Sequence, residues 1–422
     1  MRSQRRVGAR KGAILGIAIC VIAPHAWGQE TPAPPPVLES PGPPIAAYPL
    51  ELLGLLAPPA QRGPVTLMPS IAVSAEYNDN LFLDNQNRQW DLITGISPAI
   101  TLFVNRPAYQ LSGGYTSTAE LYARETQFNS VLSRQSLVFS GLYLATPRLR
   151  LTASDSYASD RSTNVVASQG FASGRQASWS NTFAPGLTWQ MTPRTSLGLG
   201  ATYAVQRFEG AGLGSDTYGL QTNLGHLLTP RLTGTVGYGF TYLDLQGQEN
   251  SRTHTPTLGV TYQLTPTLTG SVSGGPAITE LGGATSVSPA ATVSLGQALR
   301  FGSASVQYTR SVGAAGGFGG TTDTQSVSGA LTLSGLQRGL LVVFSPAYRI
   351  AESVSGRQTG QVDVKALTVN LGVTYQIARF VSVFGGYTFL QQRTGGASSV
   401  QGDVDQDRLR FGLQFGYPIN FD

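Results

Sequence analysis

The residues Gln414-Phe415-Gly416-Tyr417-Pro418-Ile419-Asn420-Phe421 close an alternating strand with an aromatic side chain, and no other feature constrains the fold as strongly. Leu409, Phe411, Leu413, Phe415, Tyr417, Ile419 and Phe421 share one parity; Arg408, Arg410, Gly412, Gln414, Gly416 and Asn420 share the other. A period of two places the apolar set on one face of a strand. In a soluble sandwich that face would pack on a second sheet. Here the opposite face is polar or glycine in strand after strand, so the apolar side is expected to meet lipid. Gly416, Ile419 and Phe421 form the terminal signature expected to be read by a barrel-assembly machinery.

The other end of the chain carries an export pattern. Arg2, Arg5, Arg6, Arg10 and Lys11 precede an apolar run from Ala13 to Ala23, and Ala26-Trp27-Gly28 offers a small-x-small cleavage site. Residues 1–28 therefore read as a signal peptide. Removing them changes the charge argument. The whole chain has 28 Lys and Arg against 23 Asp and Glu, and all five basic residues just named leave with the signal, so 23 face 23. Binding of nucleic acid loses its electrostatic basis. The single cysteine, Cys20, leaves as well, which excludes a disulfide framework and a thiolate metal site. Beyond the signal no run of 18 apolar residues occurs, so only a closed sheet satisfies its backbone in lipid.

Residues 29–66 are rich in proline (Pro32, Pro34, Pro35, Pro36, Pro41, Pro43, Pro44) and read as an extended periplasmic linker. Within it, 45–57 (IAAYPLELLGLLA) has two readings, a short helix that docks on a partner or enters the barrel mouth, and an unstructured apolar linker. Residues 67–422 read as an all-β domain, a transmembrane antiparallel up-and-down β-barrel. Alternating segments number 18 from Pro69 onward, with 16 as the alternative count. Short connections carry a repeated signature: Asn105-Arg106-Pro107, Thr146-Pro147-Arg148, Thr192-Pro193-Arg194, Thr229-Pro230-Arg231 and Thr265-Pro266-Thr267. The Thr-Pro turns recur at spacings of 46, 37 and 36 residues, which makes the hairpin the repeat unit. Longer polar loops fall between them, near 79–90, 124–133, 159–174, 209–215, 246–251, 281–284, 315–321, 353–361 and 394–403. Short turns inside and long loops outside leave both termini in the periplasm. Pro98, Pro185, Pro256, Pro289 and Pro346 lie inside strands and predict bulges or bends.

The first hairpin, Ser74-Ala75-Glu76-Tyr77-Asn78-Asp79-Asn80-Leu81-Phe82-Leu83, is followed by Trp90-Asp91-Leu92-Ile93-Thr94 and Ile96-Ser97-Pro98. It resembles the opening of outer-membrane β-barrel proteins associated with exopolysaccharide and exosortase (PEP-CTERM) systems. Beyond this stretch the resemblance continues only in the Thr-Pro turns and the barrel patterning. It implies a barrel of the outer membrane that serves export or surface assembly of polysaccharide, with polysaccharide export components as partners. It supplies no catalytic residues.

Chemistry-bearing constellations are sparse. Only His226 and His254 remain after the signal, and neither sits in a nucleophile–base–carboxylate pattern, so no enzyme activity is expected. Asp79, Asp84 and Asp91 cluster in the first long loop without the ordered spacing of a calcium loop, and a solvated polar loop is expected there. No cofactor or metal is implied. The plug domain of a TonB-dependent transporter does not fit in the 38 or so residues before the first strand. Charged residues that alternate with apolar neighbours, Glu76, Glu120, Arg150, Arg349, Arg408 and Arg410, are candidates for the lumen wall. Glu76 on the first strand and Arg408 and Arg410 on the last become neighbours on closure, where a seam salt bridge and a solute-binding role compete. Asp160, Arg161, Asn164 and Gln169 in the longest loop are candidates for a constriction by analogy of fold. Two functions stay open: a passive pore or export conduit for hydrophilic solutes, or a non-conducting scaffold barrel. The partners expected are outer-membrane lipid and lipopolysaccharide.

Overall fold

The computed structural model describes residues 64–161, 171–172, 176–210, 212–314, 320–354, 362–395 and 403–421. The first six strands are β1 (Val65–Asn78), β2 (Asp91–Asn105), β3 (Tyr109–Tyr122), β4 (Ser130–Thr146), β5 (Leu149–Asp160) and β6 (Ala177–Thr192). Then follow β7 (Thr195–Glu209), β8 (Ser215–Thr229), β9 (Leu232–Leu245), β10 (Ser251–Thr265), β11 (Leu268–Leu281) and β12 (Ala284–Leu299). The chain ends with β13 (Gly302–Ala314), β14 (Thr321–Leu333), β15 (Leu340–Ser353), β16 (Asp363–Ala378), β17 (Val381–Thr394), β18 (Val404–Gly416) and β19 (Ile419–Phe421).

Each strand is antiparallel to the next, and β1 pairs both with β2 and with β18, from Ser70↔Gly416 to Asn78↔Arg408. Past Tyr417-Pro418, β19 pairs with Val65–Leu67, so β18 and β19 are one interrupted stave. The sheet is a closed barrel of 18 antiparallel staves, the larger of the two counts read from the sequence. Closure gives each strand two neighbours and leaves no edge to cover.

Parity decides which side chain faces which solvent. Ile71, Val73 and Tyr77 on β1, Leu92, Ile96, Ile100 and Leu102 on β2, and Phe411, Leu413 and Phe415 on β18 all stand exposed on the outer surface. Such a continuous apolar belt is too large for a water-exposed surface. Thr66, Ser74, Glu76 and Asn78 alternate with them and point inward.

The Thr-Pro signature acquires a mechanism. In four hairpins the threonine hydroxyl accepts the backbone N–H two residues on: Arg148 to Thr146 and Arg194 to Thr192 at 3.2 Å, Arg231 to Thr229 at 3.4 Å, Thr267 to Thr265 at 3.3 Å. Proline presets the first turn residue and the hydroxyl satisfies an amide the turn would orphan. Register shifts sit beside each of these turns, as at Leu144/Thr146, Gln190/Thr192, Leu227/Thr229 and Gln263/Thr265.

Of the bulges or bends expected at the prolines inside the strands, bulges are excluded by the register. Around Pro98 the β2–β3 ladder skips from Ile96↔Ala119 to Ala99↔Thr116 and resumes in the same register. The same unshifted gap occurs at Pro185, Pro256 and Pro346. Each proline keeps full pairing with its other neighbour, as in Ile71↔Pro98 and Tyr238↔Pro256. Pro289 stays in register with Pro276 on β11. A proline lacks one donor only, so it turns that blank side to one neighbour and the second ladder holds the register.

One glycine is required by such a gap. A Cβ on Gly275 would lie 1.9 Å from the carbonyl oxygen of Pro256 on β10. Gly275→Ala is therefore expected to destabilise the barrel by about 1–3 kcal/mol. Gly296→Ala, whose Cβ would meet nothing within 4 Å, is expected to stay within about 0.5 kcal/mol of the parent. Urea titrations of both variants in detergent micelles check this, and equal midpoints would refute the close approach.

Candidate functional site: the lumen and its mouth

The interior divides into two walls. From β6 to β14 every charged strand side chain has outward parity: Arg207, Glu209, Asp216, Asp244, Arg252, Glu280, Arg310 and Asp323 all do. The inward set there is threonine, serine, glycine and amide, and much of it is partly exposed: Thr233, Thr235 and Thr241 on β9, Thr257 and Thr261 on β10, Ser288 and Thr292 on β12. The lumen-facing charges lie on the remaining arc. Glu76, Glu120, Arg349 and Arg410 are buried on the inner wall, Arg408 is nearly so, and Arg150 faces inward near the short turn at Pro147.

At the seam, Glu76 accepts Nη2 and Nε of Arg408 at 2.7 and 2.9 Å. In register Glu76 faces Arg410 rather than Arg408. Arg410 instead donates Nε to Ser74 Oγ at 3.1 Å and lies 5.8 Å from the Phe384 ring. Glu120 is held by Arg134 and by the Tyr122 hydroxyl at 2.8 Å. Both inner-wall glutamates thus hold an arginine on a neighbouring strand or hairpin.

The end of the barrel that carries the long loops is filled from within. Leu81 packs on Ile93 and Tyr122 of the β2–β3 wall, with Phe82 and Phe128 beside them. Leu83 joins Leu390 and Val404 of the β17–β18 wall, together with Ala172. Leu83 has φ 56°, a left-handed conformation that costs about 1–2 kcal/mol outside glycine, and its burial offsets that cost. From the loop after β5, Phe171 is fully buried against Ala351, Val362, Val364 and Ala366. Ala172 is clamped at both backbone groups: its N–H donates to Gln392 Oε1 at 2.9 Å, and Gln392 Nε2 donates to its carbonyl at 3.0 Å. On the far side Thr321 reaches over three strands to Ser251, hydroxyl to hydroxyl, at 3.0 Å.

The polar residues of the first loop are occupied rather than simply solvated, which corrects the expectation for this segment. Asn78 and Asn80 are both fully buried. Gln406 Nε2 donates to Asn78 Oδ1 and to the Asn80 carbonyl, and Asn80 Nδ2 donates to the Asp405 carbonyl at 2.9 Å. Asn85 and Asp405 exchange two further bonds at 3.1 and 2.8 Å. Asp79 pairs with Arg88 at 2.9 Å. Asp84 accepts the amides of Gln86 and Asn87, which hold its carboxyl below the usual range. Asp91 gathers the amides of Ala123, Arg124 and Glu125 from the second loop. Three carboxylates close in sequence thus serve three separate jobs, and among the described residues no acidic or histidine cluster has metal-ligand geometry.

Of the constriction candidates, Asp160 ends β5 with inward parity, and the Arg161 amide donates to the Ser133 carbonyl at 2.7 Å. Asn164 and Gln169 lie outside the described residues, as do 1–28 and 45–57. Sequence reasoning missed Phe171, Ala172, Leu81, Leu83 and Gln392. The two leucines carried a signal, as apolar residues inside Asp79-Asn80-Leu81-Phe82-Leu83-Asp84-Asn85. His254 stands on the outer surface 2.7 Å from the Tyr238 hydroxyl, and His226 lies 3.0 Å from Thr195 Oγ1. Among the described residues neither imidazole has a hydrogen bond to a carboxylate. Gly416, Ile419 and Phe421 close the seam at the short-turn end, where Gly416 and Ile419 pair with Ser70 and Leu67.

No family model and no curated protein matches the sequence. Solved structures do align. OccK11 (OpdR) of Pseudomonas aeruginosa is 12% identical over 84% of this chain and 96% of its own, with a TM-score of 0.38. OccK5 (OpdH) of the same organism is 12% identical over 84% and 98%, at 0.43. The siderophore receptor PirA of that species is 9% identical over 85% and 81%, at 0.41. Likenesses this distant carry no argument; closure rests on the β1–β18 ladder.

Removing one partner of a buried ion pair strands the other charge. Glu76→Gln is expected to cost about 3 kcal/mol of barrel stability, whereas Asp323→Asn, in the outward pair with Arg310, is expected to cost under about 1 kcal/mol. Urea midpoints of the two variants in micelles check the difference; equal losses would sink the seam argument.

Proposed function

We propose that this chain is an outer-membrane barrel that acts as a passive pore for hydrophilic solutes, narrowed at its long-loop end. The observation that carries this reading is the β6–β14 wall: its inward hydroxyls, amides and glycines stay partly exposed, as a water-accessible lumen requires. An apolar outer belt around a polar, nearly uncharged interior is the division expected of a barrel in lipid. The long loops then face outward from the cell and both termini face the periplasm, with 1–28 as an export signal and 29–66 as a linker. Lipid and lipopolysaccharide surround the belt. Polysaccharide, suggested by the likeness of the first hairpin to exopolysaccharide-associated barrels, suits the hydroxyl-lined wall as cargo. Export components are the partners that role requires.

One observation favours the second reading, a closed scaffold barrel. Phe171, Ala172, Leu81 and Leu83 fill the β15–β3 side of the mouth with apolar contacts locked by Gln392. A fixed plug of that kind blocks passage. The two readings separate in planar bilayers. The mature protein is expected to give steady conductance, raised several-fold by Phe171→Ala combined with Gln392→Ala, since both anchors of the loop are then lost. Silence of parent and variant alike, with correct folding shown by heat-modifiable migration, would overturn the pore and leave the scaffold.

A further inference from the structure

Arg349 differs from Arg134, Arg408 and Arg410, which each hold a side-chain partner on the inner wall, and from the half-exposed Arg150. It points inward from β15, it is only 8% exposed, and among the described residues it has no hydrogen-bond or ion-pair partner. Its strand neighbours on the same face are Ala347 and Ala351, and Ala366 faces it from β16. None of these offers an acceptor side chain. Arginine does not shed its proton in a protein, so burial cannot be relieved by neutralisation. A buried cation with no counter-charge is unfavourable, and an anion from outside the chain would remove the penalty.

The strand register continues from that guanidinium in a row of hydroxyls. Arg349 faces Ser326 on β14, Ser326 faces Thr309 on β13, Thr309 faces Thr292 on β12, and Thr292 faces Ser273 on β11. All four hydroxyl residues have inward parity and are partly exposed, and among the described residues none of their side chains makes a hydrogen bond. Neighbouring strands lie about 4.8 Å apart, so one cation stands at the end of an evenly spaced ladder of idle donors and acceptors. No other charge interrupts it.

We propose that Arg349 and the row Ser326, Thr309, Thr292 and Ser273 form a binding site for an acidic sugar. The guanidinium takes the carboxylate in its planar fork; Ser326 and Thr309, one and two strands away, take hydroxyl groups of the same sugar, and Thr292 and Ser273, about 14 and 19 Å from Arg349, take those of further rings of an oligosaccharide. A simple carboxylate leaves the row unused, and a neutral sugar leaves the cation unpaired. As a statement of what the lumen selects, this site rests on the pore reading; as an equilibrium binding site it is measured without any current.

The test is isothermal titration of the full mature chain in micelles with D-glucuronate, D-glucose and acetate. Glucuronate is expected to bind at least tenfold more tightly than either of the others. Arg349→Gln is expected to lower glucuronate affinity about tenfold, to the level of glucose. Ser326→Ala with Thr309→Ala is expected to weaken glucuronate several-fold and leave acetate unchanged. Equal affinity for glucuronate and acetate would overturn the sugar assignment, and no glucuronate binding to the folded parent would overturn the site. Arg349→Met adds a readout that a structural arginine would move in the opposite direction. Without ligand its urea midpoint is expected to rise, because an unpaired buried charge has been removed, and a fall would count against the proposal. A barrel that is silent in bilayers yet binds glucuronate refutes the pore alone; one that conducts and ignores glucuronate refutes the site alone.

Discussion

Everything in this structure depends on the ladder between the first strand and the last. In a hydrocarbon solvent an unpaired backbone amide or carbonyl costs several kcal/mol, and an open sheet would expose two rows of them. Nine register pairs from Ser70↔Gly416 to Asn78↔Arg408, and three more through β19, close that gap. The side chains then reinforce what the backbone begins. Glu76 and Arg408 join across the same seam, and Asn78, Asn80 and Gln406 knit its long-loop end. The outer belt and the inner wall follow from closure, because a strand with two faces and no edge has only those two places to send its side chains.

Inside, charge and its absence are sorted by arc. The glutamates of the inner wall are neutralised by arginines nearby, so they brace the wall rather than advertise a field. Nine consecutive strands present only uncharged groups inward. Such a surface meets water and hydroxyl compounds with hydrogen-bonding groups and no fixed charge. Apolar side chains gather inside where loops turn back into the mouth, and a few others, such as Met68 and Phe384, stand on the inner wall below it.

Much of this was legible in one dimension. Alternation marked the strands, and the strand count and the short turns agree with what is observed, because period two and proline-bearing turns are local facts. The meeting of Glu76 with Arg408 was legible from closure alone. The plug was not, since Leu81, Leu83 and Phe171 sit in polar loops whose inward fold depends on partners as distant as Leu390, Gln392 and Val404. No bulge forms at the prolines for a related reason: Pro98 and Pro256 each have two neighbouring strands, and the intact ladder on one side holds the register despite the missing donor on the other. That Arg349 lacks a partner among the described residues is likewise a property of the assembled wall and of no motif.

The hydrogen bonds between the first loop and the final strand carry a consequence for biogenesis. Asn80, Asn85 and Arg88 take their partners from Asp405, and Leu83 takes its packing from Leu390 and Val404, all of them near the end of the chain. The stopper at the mouth is therefore the last thing to set, although its residues are among the first of the barrel to be made. An unfinished barrel has no stopper, and a finished one certifies its own completion by acquiring it.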